Sequence, residues 1–166
     1  ALATCAGMPL GISLQPLIFG ISQLVTALQI GVFFAIGLYK VRKPGSLLIM
    51  ALMMGLIQLM MSPPMFLSSV LNGVLIELIV LLLFRGYEKD GAVFCAAMLH
   101  TPLSLPFNYL YNRLVKGADS PLAAVADRAP LAAVGMTLAV VAVSALGALI
   151  GIKIARELKK SGVLKK

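Results

Sequence analysis

Glu77 is the residue with the most chemistry to offer. It lies in MFLSSVLNGVLIELIVLLLF, Met65 to Phe84, where no other side chain is charged. A run this long and apolar reads as a membrane-spanning helix, which needs roughly 20 residues to cross the hydrocarbon. A carboxylate there costs about 2.5–3.5 kcal/mol on insertion scales, so it normally faces protein or a water-filled cavity. Ser69 and Gly73 fall on the same helix face, two turns and one turn earlier. Such an acid binds a ligand or a coupling ion, or it is satisfied by a neighbouring helix.

Other polar residues sit in equally apolar surroundings. Gln23, Gln58, Glu77, His100 and Asn108 come from four different apolar stretches. Converging on one cavity, they would offer donors, acceptors and one negative charge, a set suited to a small polar or cationic molecule. Thr101, Ser104, Asn108 and Asn112 recur at helical spacing, and Pro102 and Pro106 free backbone carbonyls nearby. Each polar or small stripe taken alone also fits helix packing, because small residues let membrane helices approach and polar ones bond across them. Ser144 shares a face with Gly147, Gly151 and Ala155, and the last three are assigned to packing. Methionines crowd the second span and suit a pliable wall or lipid contact.

Several functions are disfavoured. His100 is the only histidine, so a metal site built on histidine is not expected. Cys5 and Cys95 follow no metal or redox spacing. No nucleophile–base set, HExxH or phosphate-cradling glycine loop is present, so the chain does not read as an enzyme. The remaining acids lie in loops or at span ends and read as a solvated, ion-paired face.

The elements that must position these groups follow from composition. Of the 166 residues, 60% are hydrophobic, and the mean hydropathy is +1.01. A soluble domain of this size lacks the interior to hide so much apolar surface. The chain therefore reads as a single all-α integral membrane domain over 1–166. Five transmembrane spans are expected: Pro16 to Tyr39, Ser46 to Met61, Met65 to Phe84, Ala92 to Asn112 with interruptions at Pro102 and Pro106, and Leu131 to Ala155. The net charge of +8 lies at span ends without interleaved aromatics, so nucleic acid is not an expected partner. Lys40, Arg42 and Lys43, Arg85 and Lys89, and the six basic residues from Lys153 onward share one face, eleven of the fourteen in the chain. That bias predicts a cytoplasmic face bearing the C-terminus and its basic tail, 156–166, with the 113–130 loop outside. The opening ALATCAG reads as the end of an earlier, largely missing helix, which would give six spans; a five-span protein is the alternative.

Four stretches in order carry a family likeness: VRKPGSLLIMALMMGLIQ (Val41 to Gln58), LNGVLIELIV (Leu71 to Val80), SLPFNYLYN (Ser104 to Asn112) and GALIGIKIARELKKSGVL (Gly147 to Leu164). The chain resembles the substrate-binding (S) subunits of energy-coupling-factor vitamin transporters, in their thiamine-type, YkoE-like branch. The resemblance implies six spans with both ends cytoplasmic, and a first helix whose small residues dock the membrane-embedded coupling (T) subunit. It implies ATPase (A) subunits that use ATP, and no cofactor on this chain. Glu77 matches the acid expected to face the vitamin, and Asn72 with Gly73 the polar-glycine pair before it. Gln58 stands where a second acid is expected. That departure weakens the case for cationic thiamine and favours its hydroxymethylpyrimidine precursor, since a neutral amide still bonds an aminopyrimidine. The expected substrate-binding residues are thus Glu77, Gln58, Gln23, Asn72, His100 and Asn108. An ion-coupled carrier or channel and a ligand-free assembly subunit remain the alternatives.

Overall fold

The computed structural model describes residues 21–60, 63–115 and 130–162. Five α-helices hold nearly all of them, with no strand among the described residues: α1 (Ile21–Lys40), α2 (Ser46–Leu59), α3 (Pro63–Phe84), α4 (Asp90–Val115) and α5 (Pro130–Lys160). The all-α expectation stands. The N-terminal part of the first expected span, most of the 113–130 loop and the end of the tail lie outside the described residues.

Local chemistry sets the helix ends. Pro63 and Pro130 open α3 and α5, where a missing backbone N–H costs nothing. Asp90 opens α4, its charge complementing the helix dipole. Lys159 and Lys160 close α5, followed by Gly162 in the left-handed region at φ 77°. Gly45, at φ 86°, turns the chain into α2.

Pro102 and Pro106 do not interrupt the fourth span; α4 runs unbroken for 26 residues through both. Each proline removes only one donor, while the bonds on either side continue the helix. In the same turn the Ser104 hydroxyl donates to the Thr101 carbonyl at 2.6 Å.

Small residues set the packing. A Cβ on Gly147 would meet the Leu28 carbonyl oxygen at 2.6 Å, and one on Gly151 the Val32 carbonyl oxygen at 2.6 Å. Both numbers rise together, so α1 and α5 run parallel with their backbones in contact. On α2 and α3 the order reverses: Gly73 faces Ala51, and Gly55 faces Phe66 and Ser69, so this pair is antiparallel. The Ser69 hydroxyl adds a bond to the Ala51 carbonyl at 3.1 Å. α4 packs on α1, α3 and α5 at once, and α2 lies against α3 with a smaller contact to α1. The shared core includes Phe34, Leu38, Ile76, Val80, Ala97 and Ile152.

The outside of the bundle is apolar. Leu82, Leu131 and Leu138 are 83%, 87% and 65% exposed. Water would not tolerate so continuous an apolar surface, and lipid requires it. By length and composition, Met65–Phe84 and Pro130–Lys160 suffice to cross a membrane, while Thr26–Lys40 and Ser46–Leu59 are shorter apolar helices.

Candidate functional site

Glu77 is buried on α3, on the face that carries Gly73 and Ser69. Its Oε1 accepts a hydrogen bond from the Gly45 backbone N–H at 2.7 Å, and its Oε2 one from the Tyr87 hydroxyl at 2.9 Å. Gly45 belongs to the turn before α2, and Tyr87 to the turn after α3. Burial, then the neighbouring Glu77 carboxyl, pushes the Tyr87 phenol above its ordinary range and keeps it a donor. The Glu77 carboxyl thus faces two turns at the basic end of the bundle.

Ionic contacts extend that end. Asp90 receives Arg42 on one oxygen and Arg156 on the other, each at 2.6 Å. Arg42 also donates to the Glu88 carbonyl and lies over the Tyr39 ring, 4.0 Å from its centroid. Burial alone would raise the Asp90 carboxyl, but the bonds from Arg156 and Arg42 outweigh it and hold the group below its ordinary range. α1, α4, α5 and both turns are thereby tied at one level.

Deeper in the bundle the chemistry changes. Gln29 Oε1, Asn72 Oδ1, His100 Nδ1, Thr101 Oγ1 and Ser144 Oγ are buried atoms without a hydrogen-bond partner among the described residues. They come from α1, α3, α4 and α5. His100 stacks on Phe34 of α1, with ring centroids 4.3 Å apart and an interplanar angle of 27°. Among the described residues no group of three or more potential metal ligands occurs.

This helical, lipid-facing architecture has a counterpart among known sequences. Residues 1–160 match the model of a family described as a hypothetical bacterial integral membrane protein (Trep_Strep). The chain belongs to the Trep_Strep family. It is therefore an integral membrane protein of a bacterial type. No curated protein and no solved structure matches it.

The expected binding residues of this Trep_Strep chain occupy three tiers. Glu77 forms the tier nearest the basic end. Asn72 and His100 are buried in the middle. Gln23, Gln58 and Asn108 lie towards the opposite end and are half-buried. Gly45 marks the level of Glu77, and Gln58 lies 13 residues further along α2, about 20 Å away at 1.5 Å per residue. Glu77 and Gln58 are thus too far apart to hold one small molecule together. The Asn108 carbonyl accepts from Asn112 Nδ2 at 2.7 Å, and the Gln23 carbonyl from Thr26 at 3.4 Å.

Thr101 stands out in the sequence only as a member of a stripe, and Tyr87 belongs to no polar pattern within a span. A tyrosine inside the charged turn RGYEKDG, ten residues after a buried acid, was the available signal. Among the described acids at span ends, Asp90 and Glu157 form ion pairs, and Asp90 finds its partners 48 and 66 residues away. Glu157 pairs locally with Lys160 at 2.9 Å.

Proposed function

We propose that this protein is the substrate-capture subunit of an energy-coupling-factor importer. It takes up a vitamin, thiamine or its hydroxymethylpyrimidine precursor, from the side opposite the basic face. It hands the ligand inward at the basic, cytoplasmic end, together with a membrane-embedded coupling subunit. Separate ATPase subunits hydrolyse the ATP, and the chain itself carries out no covalent chemistry.

The observation that carries this reading is the set of buried polar atoms, without a partner among the described residues, on four helices of an otherwise apolar bundle. An unmade hydrogen bond in a buried site costs about 1–3 kcal/mol. A bundle meant only to hold together would replace such groups with apolar ones of similar shape. Binding sites instead keep a few placed polar groups within apolar walls. Glu77 is less available to a coupling ion, because both its oxygens already accept hydrogen bonds. That observation weighs against an ion-coupled carrier.

The test is uptake of labelled thiamine and labelled pyrimidine in an auxotrophic bacterium expressing this chain. ATPase and coupling subunits from the same organism are co-expressed. Uptake should require the chain, stop when the ATPases are inactivated, and survive an ionophore. Uptake that persists without the ATPases and collapses with the ionophore would overturn the reading.

A further inference from the structure

Resting on the importer reading, we infer that Asn72, His100 and Thr101 form the ligand-contacting wall of the capture site and that its occupant is an uncharged, flat, hydrogen-bonding ring. The three residues lie at one depth. Asn72 precedes the end of α3 at Phe84 by 12 residues, and Thr101 follows the start of α4 at Asp90 by 11. At 1.5 Å per residue these are about 18 Å and about 16 Å from the short connection that joins the two helices. Asn72 stands one turn beyond Ile76, and Thr101 one turn beyond Ala97, so both extend the faces that build the shared core. α3 packs on α4.

Each residue carries a polar atom with no partner among the described residues. Asn72, Thr101 and His100 are 1%, 2% and 6% exposed, so bulk water does not serve those atoms. An amide, an imidazole and a hydroxyl together offer donors and acceptors in both directions. The Phe34 ring stacked on His100 gives the same depth an aromatic surface.

The charge of the occupant follows from what surrounds the site. α1 from residue 21 to 39, α2, α4 from residue 91 to 112 and α5 from residue 130 to 152 contain no Asp, Glu, Lys or Arg. Glu77 is the exception on α3, and its oxygens accept from the Gly45 N–H and the Tyr87 hydroxyl. A cation seated beside Asn72 would therefore be desolvated without a free counter-charge, which a buried site tolerates poorly. A neutral ring with an amine or hydroxyl substituent would satisfy the idle atoms without that cost.

The experiment is calorimetric titration of the full chain in lipid nanodiscs. Its probes are the uncharged 4-amino-5-hydroxymethyl-2-methylpyrimidine and the cationic thiamine. Wild type should bind the pyrimidine at least tenfold more tightly than thiamine. Thr101→Val and Asn72→Leu should each weaken pyrimidine binding more than tenfold, while the ligand-free variants melt no lower than wild type. Glu77→Gln should leave pyrimidine affinity within threefold. Tighter binding of thiamine, unchanged affinity in both Thr101→Val and Asn72→Leu, or no pyrimidine binding overturns the inference. In each case ATP-dependent uptake of some vitamin would leave the importer reading intact.

Discussion

The Tyr87 hydroxyl and the Gly45 N–H meet on opposite oxygens of Glu77, at 2.9 Å and 2.7 Å. One side chain thus ties the turn before α2 to the turn after α3. Tyr87 is fully buried, so removing its hydroxyl leaves Glu77 Oε2 facing no donor. Tyr87→Phe should lower stability by about 1–3 kcal/mol, the usual cost of orphaning a buried polar atom. Urea unfolding of the detergent-solubilised protein measures it. An unchanged midpoint would mean that the contact contributes nothing.

Backbone conformation makes a paired prediction for two glycines. Gly45 adopts φ 86°, with nothing near its missing Cβ, so strain there would come from the backbone alone. Gly45→Ala should destabilise by about 1–2 kcal/mol, the cost of the left-handed conformation for an L-residue. Gly135 lies inside α5 with open space around it and an ordinary helical φ. Gly135→Ala should stabilise by about 0.5–1 kcal/mol. Opposite shifts in melting temperature are expected, and shifts of the same sign would refute the argument.

The contact of α1 with α5 is a third target. A Cβ on Gly151 would also meet the Ala35 Cβ at 2.7 Å and the Val32 Cα at 2.9 Å. These atoms belong to backbone or to a side chain with no rotamer to change. Gly151→Leu should therefore force the helices apart and cost more than about 3 kcal/mol, beyond the usual range of overpacking. Cross-linking of cysteines placed on the facing surfaces of α1 and α5 should fail in this variant and succeed in its parent.

What the sequence made legible depended on whether the deciding interaction was local. Apolar runs located the helices, because length and hydropathy are properties of one segment. The Gly147 and Gly151 stripe was read correctly as packing for the same reason. Pro102 and Pro106 were misread as interruptions, since a lost donor matters less where the rest of a long helix continues around it. The partners of Glu77 were hidden because one of them is a backbone N–H of Gly45, 32 residues away, which no side-chain pattern announces. The three tiers were invisible, because nothing in one chain tells how far neighbouring helices slide past each other. Asn72 was chosen through the family likeness and His100 by residue type, and the helix register that sets them at one depth comes from the fold.

Acid should release the Asp90 junction in a defined window. With Arg42 and Arg156 bound, the folded carboxyl titrates below its ordinary value of about 3.9. A depressed carboxyl contributes stability that is fully present above the unfolded value and lost as pH falls through the folded one. The contribution should therefore hold from neutral pH down to about 4 and fade below that. Asp90→Asn removes the charge at every pH. Its melting temperature should lie under that of wild type at pH 7, and the two curves should approach each other as pH falls below about 4. High salt should narrow the gap at pH 7, because Asp90 and both arginines are partly solvent-exposed. A gap that stays constant from pH 7 to pH 3 would show that the carboxyl acts by shape and hydrogen bonding, not by its charge.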